Sequence, residues 1–287
     1  MEPLTGAARR DSVTLWTMSG PTTSKVYGAP TGDPEMGEAM RKARATFKYL
    51  WRELTWEYRR IAPALELAAI KAAFAEEGES SKVEHMWLNE IEFDGDTIVA
   101  TLINQPNHLR SVRAGDRLTL TPDRIEDWMY VRSGRVYGGF TIQAMRARMS
   151  PAERRDHDQA WGFDFYDPSH VALVPDWSES AKPGLFGRVF GKTSSPPTAD
   201  PEAEHPMSEN MAEKLAGEID RNREAFLHEA DEHGLTTLHS MALGGSAACV
   251  RVLLAKGAEA TRRTRSGKTP RDLAAQMGWP RVAELLL

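Results

Sequence analysis

Gly234-Leu235-Thr236-Thr237-Leu238-His239 is answered 33 residues later by Gly267-Lys268-Thr269-Pro270-Arg271-Asp272-Leu273-Ala274. A period of this length marks a solenoid built from helical units. In each copy the glycine sets a turn and the threonine is placed to cap a first helix. Between the copies lie Val250, Val252, Leu253 and Leu254, then Lys256-Gly257-Ala258-Glu259-Ala260, which read as a second helix and its loop. The second copy runs on to Val282-Ala283-Glu284-Leu285-Leu286-Leu287. One such unit cannot hide its apolar face alone, so the Leu and Val positions are expected to bury against the neighbouring unit.

These residues resemble ankyrin repeats. The resemblance implies an all-α module that binds a protein through an extended surface. It also gives His239 a structural place, hydrogen-bonded within the turn network. Two repeats fall short of the roughly three that such stacks need. Met207 to Asp231, with Met211, Leu215, Ile219, Ala225, Phe226 and Leu227, is therefore expected to supply a degenerate first unit or helical cap. The far end, Leu285-Leu286-Leu287, carries little polar sequence and is expected to pack on the N-terminal domain or on another protein. His233 and His239 without further ligands make a poor metal site. Residues with which the module would hold a partner are Met241 and the basic cluster Arg262, Arg263, Arg265 and Lys268, although a short charge run in a turn reads first as a solvated loop tip.

Outward from this module, 287 residues are comfortable for two domains of roughly 100 to 200 residues each. Hydrophobic residues at 41% and charged residues at 27% are ordinary for a globular chain, which excludes wholesale disorder. A net charge of -5, with 36 basic residues scattered among 41 acidic ones, argues against a nucleic-acid partner. Cys249 stands alone, so an internal disulfide and a multi-cysteine zinc site are excluded, and a reducing cytoplasm is expected. The N-terminal residues have neither the basic start nor the apolar run of a secretory signal, and no window approaches the roughly 18 apolar residues of a membrane span. No cofactor is implied.

Residues 1–35, punctuated by Gly20-Pro21, Gly28-Ala29-Pro30 and Gly32-Asp33-Pro34, read as a loosely packed arm. From Glu38 to Ile61 the residues Met40, Ala43, Phe47, Leu50, Leu54, Tyr58 and Ile61 recur every three or four positions, which predicts a long amphipathic helix ended before Pro63. Strands are expected over Leu65 to Ala75, Val83 to Phe93, Thr97 to Ile103, Arg117 to Thr121 and Ile125 to Val131. Asp94-Gly95-Asp96 has the composition of a hairpin turn, whereas Phe140 to Arg148 fits a last strand or a short helix. The fold class is thus an α+β N-terminal domain, residues 36–179, of one long helix and an antiparallel sheet, with the all-α module over 207–287. Residues 180–206, with Lys182-Pro183-Gly184 and Ser194-Ser195-Pro196-Pro197, read as a linker. Its apolar island, Leu185 to Phe190, suits a docking peptide or a segment that packs back.

Within 36–179 the order of Glu84-His85-Met86-Trp87-Leu88, Gly115-Asp116-Arg117-Leu118, Ile125-Glu126-Asp127-Trp128-Met129-Tyr130 and Gly138-Gly139-Phe140-Thr141-Ile142, after Met40, Ala43, Arg44 and Thr46, resembles the bacterial domain of unknown function 2314. The resemblance runs from about Glu38 to Arg148 and implies no activity. Read directly, Glu84, His85 and Asp127 are the candidate catalytic groups, since a carboxylate beside an imidazole can do acid/base work. Neighbours on a strand point to opposite faces, so His85 with Asp127 is the pair expected to meet. The bland alternative has Trp87 and Trp128 anchoring the core, Asp127 capping a turn and His85 held by a hydrogen bond. Gly138-Gly139 reads as a turn or close backbone approach. The aromatic segment Trp161 to Trp177 is expected to close the domain, and Asp156-His157-Asp158 to be solvated. The function expected is a non-enzymatic protein-binding or adaptor protein, in its sharper form an immunity or antitoxin-like protein. The alternative is an enzyme or small-ligand-binding domain targeted by the ankyrin module.

Overall fold

The computed structural model describes residues 33–76, 79–177 and 199–287. Helix α1, Pro34–Glu57, starts where Asp33 accepts hydrogen bonds from the Glu35 and Met36 amides, with proline at its first position. Ala43, Phe47, Leu50 and Leu54 are buried on it as the stripe predicts, whereas Met40 is half-buried and Ala39 takes the buried place before it. The helix stops short of Ile61, which is 94% exposed. Glu57 turns the chain instead, its carboxylate accepting from the Ala64 and Leu65 amides just past Pro63.

Six antiparallel strands follow: β1 Leu67–Glu76, β2 Glu79–Phe93, β3 Ile98–Leu102, β4 Arg117–Leu120, β5 Ile125–Arg132 and β6 Arg135–Gly138. Their order across the sheet is β4-β3-β2-β1-β5-β6. The Asp94 side chain closes the β2–β3 turn by accepting from the Asp96 and Thr97 amides at 2.8 and 2.7 Å. The strand β6 is not anticipated by composition. It is a short partner of β5, joined through Ser133-Gly134, both at positive φ as a two-residue hairpin turn requires. The ambiguous stretch after Gly139 is helix α2, Phe140–Ala147, and α3, Pro151–Trp161, follows with a Ser150/Glu153 capping box.

Strand alternation divides the apolar residues between two faces. Met86, Leu88, Trp128 and Tyr130 join the core on the α1 side, while Met129, Val131 and Phe165 form a smaller cluster on the other. Trp87, one residue out of phase with Met86 and Leu88, therefore falls on the second face and is only half-buried rather than a core anchor. The aromatic segment closes the domain as expected, with Phe165 and Tyr166 buried and the Asp164 carbonyl accepting from Val136 on the outer edge of β6. His157 is not solvated: its side chain is 9% exposed and lies against Trp161 and Phe165.

The C-terminal part is helical: α4 Pro206–Arg221, α5 Arg223–Leu227, α6 Thr237–Leu243, α7 Ala247–Ala255, α8 Pro270–Met277 and α9 Pro280–Leu285. The helices α6/α7 and α8/α9 follow the two sequence copies, and α4, with α5 after it, lies along α7. The two equivalent threonines, Thr236 and Thr269, each build a capping box, with His239 and Asp272 respectively. Residues 199–205, read as linker, lie against α1: Arg52 donates to the Pro201 and Ala203 carbonyls, and His205 is 3% exposed. The island Leu185 to Phe190 and residues 1–32 of the arm lie outside the described residues.

The ankyrin module and the N-terminal domain share one continuous apolar core. Between Tyr49 and Trp56 every residue of α1 is buried, because the sheet covers one side of the helix and the module the other. Tyr49 meets Trp279 edge-to-face at 6.0 Å, Lys48 donates to the Gly278 carbonyl, and Thr55 fills the space beside Gly244.

Candidate functional site

Asp127 is completely buried on β5. Gly139, the residue before α2, is left-handed and brings no capping side chain. Asp127 takes over that role, accepting from the Phe140 and Thr141 amides, the Thr141 hydroxyl and its neighbour's Trp128 amide, all at 2.6–2.9 Å. Burial pushes its carboxyl above the ordinary range, against these donors and the nearby Lys71 ammonium. Glu84 is spent in a similar way, capping a loop by accepting from the Asn107, His108 and Leu109 amides. His85 does not meet Asp127. A register shift between Lys71 and Ala72 puts Glu126 on the open face instead, and its carboxylate lies 2.6 Å from the His85 Nδ1. Gly138 and Gly139 make the close backbone approach: the Gly139 amide donates to the Trp128 carbonyl and Gly138 lies against the Trp128 ring.

In the module, Met241 is fully buried and offers no surface to a partner. Arg262 donates to the His228 carbonyl, and its own carbonyl faces the His239 Nε2 at 3.0 Å, so this histidine ties two turns together. Arg263 and Arg265 stand exposed on the turn between the repeats. Lys268 is committed elsewhere, to Asp96 of the β2–β3 turn and to Gln276. Gln276 in turn donates to the Gly95 carbonyl, and His233 Nδ1 lies 3.3 Å from Asp94. The tip of the N-terminal hairpin therefore sits on the inner helices α6 and α8, with Leu273 and Leu243 against Gly95.

A second polar cluster, unmarked by any motif, joins the domains at α1. His205 caps α4 through Nδ1, which accepts from the Met207 amide, and turns Nε2 toward Glu53 at 3.3 Å. Trp56 stacks on the ring and Trp177 packs edge-on. Arg52 is 2% exposed between Tyr49, Trp177 and Trp279. Burial holds His205 below the ordinary imidazole range, with Arg52 and Arg60 adding to the effect. For Glu53 burial acts upward, but His205, Arg52 and Arg132 outweigh it and the carboxyl titrates below its usual range. Both groups thus bind protons less readily folded than unfolded, so their contribution is present at high pH and lost on acidification. His205 acts as pH falls below about 6.5 and Glu53 below about 4.3. We expect the melting temperature to fall between pH 7 and pH 5, and His205→Asn, which keeps the cap without the titrating ring, to flatten that fall in a thermal scan series.

Among the described residues no group of three His, Cys, Asp or Glu side chains is placed to hold a metal, and no helix is long and apolar enough to cross a membrane.

Residues 33–165 match the family described as an uncharacterized protein conserved in bacteria, domain of unknown function 2314, and residues 227–274 match ankyrin repeats. The chain is 40% identical over 264 residues to a Neisseria meningitidis serogroup B protein named for its ankyrin repeats, covering 92% of this chain and 97% of that one. The chain belongs to that protein's family. It is also similar to the uncharacterized protein YegJ of Escherichia coli, 29% identical over 92 residues, 32% of this chain and 58% of that protein. Protein phosphatase 1 regulatory subunit 27 of Homo sapiens is 34% identical over 71 residues, 25% of this chain and 46% of its own length. Family membership accounts for both halves of the molecule, and the ankyrin repeats point to a role in protein interaction.

Proposed function

We propose that this protein is a non-enzymatic adaptor that holds a partner protein through its ankyrin module, at the turn tips carrying Arg263 and Arg265. The observation that carries this reading is the division of the basic cluster: Lys268 and Arg262 reach across to other parts of the fold, whereas Arg263 and Arg265 stand exposed on one rim, Arg263 bonded only locally, to the Gly267 carbonyl of its own turn and near Asp272. Arginine is suited to such a rim because its planar fork engages carboxylates bidentately. The acid and base candidates of the N-terminal domain support the same reading, since Asp127 and Glu84 are occupied in holding backbone amides. The mammalian relative's name as a phosphatase regulatory subunit is in keeping with a protein partner.

Because the domains share a core, removing the module would expose apolar surface, so the test uses the full chain. Capture from a bacterial lysate by the wild-type chain and by Arg263→Glu/Arg265→Glu should yield a protein retained at least tenfold more strongly by the former, at unchanged melting temperature. Equal retention by both chains would move the interface off this rim. An immunity or antitoxin-like role is one form of the adaptor reading, supported by the resemblance to ankyrin proteins, and a toxin among the retained proteins distinguishes it.

A further inference from the structure

The module's inner face is already filled, and by a segment of definite chemistry. The Asp94-Gly95-Asp96 turn enters between the end of α6 and α8, where Leu273 and Leu243 close on Gly95 so tightly that a Cβ there would stand under 3.0 Å from Leu273. Gly95 has φ of 101°, which glycine alone adopts comfortably. Each acidic residue has its own basic partner, Lys268 for Asp96 and His233 for Asp94, and Gln276 reads the carbonyl between them. An open groove continues beside the tip, bounded by Asp94, His233, Thr264, Arg265 and Ser266. The ionic contacts are partly in water: the Lys268 and Asp96 side chains are 26% and 38% exposed, and His233 is 50% exposed. Pairs of this kind contribute little individually and exchange readily.

We infer that the seat beneath this tip, formed by Lys268, Gln276, Leu243 and Leu273, is a receptor for an acidic, glycine-centred β-turn, occupied in cis by the chain's own hairpin and reached in trans, along the adjoining groove, by a partner protein that presents the same Asp-Gly-Asp-like turn. The inference rests on the protein-binding reading of the module and names the chemistry of the partner. Lys268 and Gln276 supply recognition of the acid and the carbonyl, and the φ of 101° at Gly95, beside the Leu243–Leu273 notch, favours glycine there. The tethered hairpin is present at high effective concentration, so it competes strongly with any free turn and sets a threshold for the partner.

The probe is a fluorescent cyclic peptide of the sequence Phe-Asp-Gly-Asp-Thr-Ile, titrated into the full chain and followed by anisotropy. Asp96→Ala weakens the tethered competitor without touching the Asp94 side chain that closes the turn, and should raise the peptide's affinity about two- to fivefold over wild type. Adding Lys268→Glu should remove that gain, and raising the salt concentration should erode it. A peptide in which alanine replaces the glycine should bind more weakly. If the Asp96→Ala chain, shown folded by its circular dichroism, bound the peptide no better than wild type, or if Lys268→Glu left the gain intact, the seat would not be such a receptor. Arg265 borders this groove as well as the rim, whereas Arg263 does not, so capture by Arg263→Glu alone reads the rim without the groove and keeps the failure of this inference separate from that of the adaptor reading.

Discussion

Asp127→Ala is expected to destabilise the fold by about 4 kcal/mol without touching any surface that meets a partner. The carboxylate accepts four hydrogen bonds in a place with no access to water. Truncation leaves the Trp128, Phe140 and Thr141 amides without an acceptor, and each buried donor so abandoned costs about 1 to 3 kcal/mol. The Thr141 hydroxyl can rotate and the α2 terminus can shift, so the sum is less than the parts. Asp127→Asn should cost roughly half as much. It retains one acceptor oxygen but turns an NH2 group toward donors, where a carboxylate faced them on both sides. Urea unfolding monitored by tryptophan fluorescence measures both variants. An alanine variant as stable as wild type would show that this carboxylate does not hold α2, and would restore Asp127 as a group free for chemistry.

The elements were legible in the sequence where one periodic signal governed one face. The 33-residue spacing of Gly234 and Gly267 locates both repeats, and both glycines are at positive φ in the structure. The stripe Ala43, Phe47, Leu50, Leu54 likewise marks the sheet-facing side of α1. The other side of α1 was not legible in that stripe, because a helix between two layers carries apolar and charged residues on every face. Tyr49, Trp51, Arg52, Glu53 and Trp56 break the amphipathic pattern, and the density of aromatics there is the one local sign that the helix is buried all round. The Glu53–His205 contact joins residues 152 positions apart, and nothing in the neighbourhood of either announces the other. The His85 pairing missed by one residue for a similar reason. Strict alternation puts Asp127 in phase with His85, and only the register shift after Lys71 brings Glu126 there instead. The basic cluster on the ankyrin turn reads as one solvated patch, yet its members divide between internal carbonyls, the N-terminal hairpin and solvent.

That division bears on how a partner is held. A concave ankyrin face supplies most of the apolar area available for binding, and here the α6 and α8 side of it is taken by Gly95 and its flanking acids. A partner must therefore either settle for the rim at Arg263 and Arg265 or compete with the hairpin. The two routes separate experimentally through Arg263→Glu, because Arg263 does not border the groove beside the hairpin, whereas Arg265 does.

Gly138→Ala should be the most damaging single methyl group that can be added to the N-terminal domain, costing about 3 to 5 kcal/mol. Its backbone has φ of 77°, a region that an L side chain enters only at a cost of about 1 to 2 kcal/mol. The new Cβ would also stand under 3.0 Å from the Trp128 carbonyl oxygen and from two atoms of the Trp128 ring. Neither neighbour can give way. The carbonyl accepts from the Gly139 amide, and the indole donates from Nε1 to the Ala43 carbonyl on α1 at 2.9 Å. Moving the ring would break the hydrogen bond that fixes α1 on the sheet and disturb its stack with Tyr130 and its edge-to-face contact with Phe140. Moving Gly138 would instead take the Phe140 and Thr141 amides away from Asp127. Relief on either side thus costs a second interaction, in contrast to Gly134, where a Cβ meets nothing within 4 Å and only the backbone term of about 1 to 2 kcal/mol applies. Chemical denaturation of Gly138→Ala beside Gly134→Ala tests the argument: a gap between them of less than about 1 kcal/mol would mean that the indole, and with it α1, is free to move.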